Sequence, residues 1–137
     1  MPTAHKKRPD GSATSWTWAN AERAIAFHHD VAGGESGDMV ADMKAGAMSQ
    51  DIHIDKVVVS LENAPGADKT VTVACGNGTS TISVAVATAA TYGSSTTNHF
   101  DLDVSAEDLT IAISATAGVA AGCCTIFVFY HDITITA

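Results

Sequence analysis

Residues 109 to 130, LTIAISATAGVAAGCCTIFVFY, run for 22 positions without a charge between Asp108 and His131. What this stretch forms decides the fold class. Its length suffices for a membrane span, since about 20 apolar residues cross a bilayer. Its pattern points elsewhere. Leu109, Ile111, Ile113 and Ala115 alternate with Thr110, Ala112 and Ser114, and Cys124, Ile126, Val128 and Tyr130 resume the period of two. Between them lie small residues from Thr116 to Gly122, with two glycines, which read as a turn. Two β-branched runs around a glycine-bearing break predict paired strands and no membrane segment.

The rest of the chain repeats this pattern. Alternation recurs at residues 24–31, 39–44, 51–61, 69–75, 80–88 and 98–104, which with the two runs above makes about eight strands. A short helix beginning near Asn20 is the alternative for the first of them. Within 51–61 the inward set shifts phase from Ile52 and Ile54 to Val57, Val59 and Leu61, which predicts a bulge or a crossing between sheets. In 98–104, Phe100, Leu102 and Val104 face inward while His99, Asp101 and Asp103 face outward. Ala64-Pro65-Gly66-Ala67-Asp68, Gly76-Asn77-Gly78, Tyr92-Gly93-Ser94-Ser95 and Ala106-Glu107-Asp108 carry turn chemistry. The expected architecture is all-β: a two-sheet antiparallel β-sandwich, jelly-roll-like, over residues 21–137, preceded by an extended N-terminal arm over residues 1–20.

One domain of 137 residues buries a core without staples. Charged residues make up only 16%, and Ser, Thr, Asn and Gly supply most of the remaining polarity, which suits half-buried sheets. A net charge of −8 argues against nucleic acid as a partner. The charge is uneven: Lys6-Lys7-Arg8 holds three of the seven basic residues, and removing that +3 leaves −11 for the remainder. A basic tip on an acidic body suggests an arm that reaches an acidic surface, against the plainer reading of a solvated tail. Both tryptophans, Trp16 and Trp18, lie in the arm, where they either plug their own domain or dock on a partner.

Residues 1–11 contain no apolar stretch of the signal-peptide kind, so no secretory signal is expected. The cysteines are three, and adjacent Cys123 and Cys124 point to opposite faces of a strand, so reduced thiols are expected rather than a disulfide framework. A strained link between those two neighbours is the alternative. Asn77-Gly78-Thr79 matches a glycosylation sequon but reads as a turn.

Chemical signatures are sparse. There is no nucleophile elbow, phosphate-binding glycine loop, Cys-x-x-Cys pair or His-Glu-x-x-His motif. His28 and His29 face opposite ways on a strand. His53 and Asp55 project from one face, a spacing that holds a metal only when a third ligand comes from elsewhere, and Asp101 with Asp103 offers a similar carboxylate pair. The outward half of an alternating strand accounts for these residues without any ligand. No catalytic residue, metal site or cofactor is assigned on sequence, and the chain is expected not to be an enzyme.

Residues 126–130, Ile-Phe-Val-Phe-Tyr, make the last strand apolar on both faces. One face lines the core, so Phe127 and Phe129 need cover from the arm or from another subunit.

From residue 55 onward the order of features is DKVVVSLENAPGADKTVTVACGNGTSTISVAVAT and then TTNHFDLDVSAEDLTIAISATAGVAAGCCTIFVFYH. This succession of strand, Ala-Pro-Gly turn, Thr/Val strand, Gly-Asn-Gly turn, Phe-x-Leu-x-Val and Leu-Thr-Ile resembles the β-sandwich modules of tailed-bacteriophage virions, most of all capsid decoration (cement) proteins. The N-terminal part shows no such likeness. The resemblance implies a structural protein at the virion surface that stabilises the capsid by bridging subunits of the major capsid protein, as a homotrimer and without a membrane. The residues expected to contact the capsid or a neighbour from the arm are Lys6, Lys7, Arg8, Trp16 and Trp18. Those expected at the subunit interface are Phe127, Phe129 and His131. The alternative is a tail or fibre receptor module that binds glycans through loop residues such as Tyr92, Asn98 and His99.

Overall fold

The computed structural model describes residues 22–44 and 50–133, with the side chains of 38–44 left aside. The arm expected over residues 1–20, with Lys6, Lys7, Arg8, Trp16 and Trp18, and the continuation of the last strand through Ile135 lie outside the described residues.

The described residues form nine strands and no helix: β1 Arg23–Val31, β2 Glu35–Lys44, β3 Ile52–Leu61, β4 Thr70–Gly76, β5 Thr81–Ala87, β6 Tyr92–Ser95, β7 Phe100–Leu102, β8 Thr110–Val119 and β9 Gly122–Asp132. They build two antiparallel sheets. The five-stranded sheet runs β1-β9-β3-β6, with β7 also on β3, and the four-stranded sheet runs β2-β8-β4-β5. β6 covers Val57 to Ser60 of β3, and β7 covers Ile52 to Ile54, so the two lie end to end along one edge and act as a single interrupted strand. With that strand counted once, the order is that of an eight-stranded jelly roll.

Alternation makes the core. Ile52, Ile54, Val57, Val59, Ile126 and Val128 from the first sheet meet Val71, Val73, Ile82, Val84, Val86, Ile111 and Ile113 from the second, all essentially excluded from solvent. Each such side chain contributes about 1.5–3 kcal/mol relative to exposure, so register is strongly specified. The predicted phase change in β3 is a bulge: Ile54 pairs with Tyr130 and Lys56 with Phe129, leaving Asp55 as the extra residue. Its effect is to turn both Asp55 and Lys56 away from the core while Ile54 and Val57 stay buried.

Two sequence expectations are corrected. The runs within residues 109–130 form strands, but they do not pair with each other: β8 lies between β2 and β4, and β9 between β1 and β3. Alternation states which side chains enter the core, and both sheets present the same pattern to it. The chain changes sheets after Val119, through a corner flanked by Ala117 at φ 54° and Gly122 at φ 146°. At Gly122 a Cβ would stand 2.9 Å from Asn63 Nδ2, so the connection closes tightly on the β3–β4 loop.

The second correction is Tyr92 to Ser95, which is strand β6 rather than a turn. Gly93 shows why the segment is extended yet not hydrophobic. A Cβ there would lie 3.0 Å from Val84 Cγ1 and 3.1 Å from the Ala85 carbonyl oxygen, because β5 of the opposite sheet crosses close by. The other three turns form as expected. Asn77 organises one of them, its Oδ1 accepting from the backbone N–H of Thr79 and Ser80 at 3.0 and 2.8 Å. Asp103 organises another. The Ser105 hydroxyl and backbone N–H both donate to Asp103 Oδ1, at 2.7 and 3.0 Å, which holds that carboxyl below the usual carboxylate range.

Candidate functional site

The outer face of the five-stranded sheet collects the side chains for which the core has no use. Residues directly opposite in register share a face, so the rows across β1, β9 and β3 read Ala24–Phe129–Lys56, Ala26–Phe127–Val58 and His28–Thr125–Ser60. β6 continues the second row with Ser94 and the third with Tyr92. Phe127 and Phe129 are half-buried here. No described strand packs over them, since this face points away from the second sheet. Lys56 places its ammonium 4.5 Å from the centre of the Phe129 ring. Val58 and the two alanines extend the apolar strip, and Tyr92, 60% exposed, stands at its β6 edge.

At the β7 end of the same face the strip gives way to imidazoles and carboxylates. His53 is the hub. Its Nδ1 lies 2.6 Å from Asp101 Oδ1, its direct partner on β7, and its Nε2 lies 2.9 Å from Nδ1 of His99. His131, opposite His53 on β9, places Nδ1 2.8 Å from Asp55 Oδ2. Asp55 Oδ1 lies 3.9 Å from His53 Nε2. The rings of His53 and His131 are 5.2 Å apart, and those of His53 and His99 4.9 Å.

The sequence-derived residues divide accordingly. Phe127, Phe129 and His131 do share one outer face, with His131 bonded within its own chain. His53 and Asp55 project from one side, while Asp101 and Asp103 part company, the first on His53 and the second in the turn with Ser105. His28 faces outward, with Nδ1 3.1 Å from Thr125 Oγ1. His29 faces the other way, and its buried Nε2 has no hydrogen-bond partner among the described residues, with Glu35 Oε2 at 3.7 Å. Cys75 and Cys124 are buried free thiols, pushed up to about 12 and about 11 by desolvation, while Cys123 is partly accessible. The convergence of His99 on His53 was not visible in the sequence beyond its outward phase in the 98–104 run.

Asn98 and His99 also line an open groove of about 390 Å³ with Thr79, Ser80 and Thr81. Tyr92 is not part of it, so the three loop residues grouped above as a glycan site do not converge. Chemically, the outer face offers apolar area for another protein surface and, at one end, a set of nitrogen and oxygen donors.

No helix among the described residues is long and apolar enough to cross a membrane. No protein-family model matches the chain, and no curated protein is similar to it. Among solved structures, a cryo-EM structure of the virus-like particle of the giant freshwater prawn Macrobrachium rosenbergii extra small virus (XSV) is similar over 88% of this chain and 85% of that one, with 14% identity and a TM-score of 0.41. A likeness of this size assigns the chain to no family.

Proposed function

We propose that the chain is a structural virion protein that binds the outside of a tailed-phage capsid and stabilises it by bridging capsid subunits, assembled as a trimer through the outer face of its five-stranded sheet. The observation that carries this reading is the Phe127/Phe129 strip with Ala24, Ala26 and Val58: aromatic and aliphatic side chains aligned in register on a face that no described strand covers. Aromatic residues at the centre of such a patch are the usual anchors of an interface. The jelly roll supports the reading at the level of fold, since capsid domains use it, although lectins and cupins use it too. In this account the arm carries the capsid contacts through Lys6, Lys7, Arg8, Trp16 and Trp18. A tethered second contact forms at high effective concentration, so arms add avidity. The role requires no chemistry from the chain, only buried area and geometry.

The test is addition of the purified protein to capsids that lack it. The protein is expected to co-sediment with them and to raise the temperature at which they release DNA. Deletion of residues 1–18 is expected to weaken co-sedimentation while the far-ultraviolet circular dichroism stays the same. Failure of the full chain to bind capsids would refute the reading.

A second reading, a receptor module that binds glycans, is favoured by the hydroxyl- and amide-lined groove of Thr79, Ser80, Thr81, Asn98 and His99. The groove lining includes no Trp, Tyr or Phe ring on which a sugar could stack. Binding of the isolated protein to cell-surface polysaccharide would move the assignment there.

A further inference from the structure

We propose that His53, His99, Asp55 and Asp101 form a proton-operated switch at the β7 end of the outer face. Near neutral pH His53 holds His99; on acidification His53 passes to Asp55, and the connection of residues 96–99 comes free. The switch belongs to a single chain and does not rest on the assembly proposed above. A carboxylate only accepts hydrogen bonds, so the 2.6 Å contact between His53 Nδ1 and Asp101 Oδ1 fixes an N–H on His53 Nδ1. The other ring nitrogen, Nε2, meets Nδ1 of His99 at 2.9 Å. Of these two atoms, one donates and the other accepts.

That bond tolerates one added proton but not two. With both rings neutral, His99 Nδ1–H donates to the lone pair of His53 Nε2. With one added proton the bond persists, since whichever ring is the cation donates to the neutral one. With two, both facing nitrogens carry hydrogen, neither accepts, and two cations stand with ring centres 4.9 Å apart. Asp55 Oδ1, 3.9 Å from His53 Nε2, is the acceptor at hand for the hydrogen that His99 no longer takes. His131 holds Asp55 in either state, because its Nδ1, 2.8 Å from Asp55 Oδ2, donates whether or not the ring is charged.

His99 is the ring that leaves. The His53 side chain is only 20% exposed and lies on β3 between two carboxylates, whereas His99 is exposed and ends the connection between β6 and β7. The charged groups around the pair favour this outcome. On β3 they are Asp55 and Lys56, the latter turned to the Phe129 ring; on β7, Asp101; on β9, His131 and Asp132, which is paired with Arg23; ahead of β1, the exposed Glu22. Behind β7, Glu107 and Asp51 accept from the backbone N–H groups of Asp103 and Val104, and Asp103 accepts from Ser105. Thr79, Ser80 and Thr81, which share the groove with His99, carry no charge. Carboxylates therefore crowd around His53 and none bonds to His99. Imidazoles change charge between about pH 5 and 8, while ordinary carboxylates stay ionised there. Acidification thus removes one wall of the groove that Asn98 and His99 line.

The test is nuclear magnetic relaxation on the nitrogen-15-labelled full chain. The backbone order parameters of Thr97, Asn98 and His99 are expected to be about 0.85 near pH 7.5 and to fall below about 0.6 near pH 5, with those of β4 and β8 unchanged. His99→Gln, at an exposed position that leaves the fold intact, cannot gain the second charge and is expected to show equal values at the two pH values. Asp55→Asn, which removes the charged acceptor, is expected to move the release to lower pH. His28→Gln, on the same face but at the other end, is expected to switch as the wild type does. Order parameters of residues 97–99 that do not change between the two pH values would overturn the proposal. So would a His99→Gln variant that loosens on acidification as the wild type does, or a midpoint that Asp55→Asn leaves in place.

Discussion

The ammonium of Lys56 lies 4.5 Å from the centre of the Phe129 ring, and the two residues are direct partners across β3 and β9. A cation over an aromatic face at a partly exposed site contributes about 0.5–1 kcal/mol. It also caps one end of the apolar strip while leaving Phe127 uncapped. Lys56→Ala is therefore expected to lower stability by less than about 1 kcal/mol and to strengthen self-association, by baring the Phe129 ring. Urea unfolding and sedimentation on the same samples check both parts.

The opposite face of β9 behaves differently. Ile126 is fully buried between the sheets. Ile126→Ala is expected to cost about 2–5 kcal/mol, whereas Phe127→Ser, one residue on and outward, is expected to cost roughly 1 kcal/mol. Unfolding in urea measures the contrast. Equal losses would mean that the outer face is part of the monomer's own core.

Gly93 places the sheets in close contact at β6. Gly93→Ala is expected to destabilise the protein by about 1–3 kcal/mol, because its Cβ would press on the Ala85 carbonyl as well as on Val84 and Val86. Backbone cannot rotate away as a side chain can. An alanine variant as stable as the wild type would show that the sheets separate there at little cost.

This site also shows where sequence reading stops. The bulge in β3 was legible because the inward set changes phase between Ile54 and Val57, and a strand has no other way to keep both buried. β6 was not, since Gly93, Ser94 and Ser95 offer no alternation and are extended only because β3 and β5 hold them. The partners of β8 and β9 were not legible either, as both strands show the core the same period of two. Of the polar cluster, the common direction of His53 and Asp55 could be read from their spacing. The arrival of His99 and Asp101 depends on β7 pairing with β3, a contact between segments 46 to 48 residues apart in the chain.

The thiols predict an alkaline limit. Burial pushes Cys75 up to about 12 and Cys124 up to about 11 from 9.0, so the folded state keeps protons that the unfolded chain releases above pH 9. Their contribution is complete below pH 9 and is lost as pH rises from there toward 11 and 12. The slope is about 1.4 kcal/mol per pH unit for each thiol within that window. Urea unfolding between neutral and alkaline pH checks this, and Cys75→Ala is expected to flatten the fall while lowering stability at neutrality. In the native protein at pH 8, Ellman's reagent is expected to modify Cys123 alone.

The central claim is that the strip around Phe127 and Phe129 joins copies of the chain, and light scattering during gel filtration tests it most directly. The wild-type protein at low micromolar concentration is expected to elute as a species of about 42 kDa, three times 14.0 kDa. Phe127→Asp with Phe129→Asp is expected to give a folded species of 14.0 kDa. A wild-type protein that stays monomeric at tens of micromolar, or a double variant that keeps the trimer mass, would contradict it.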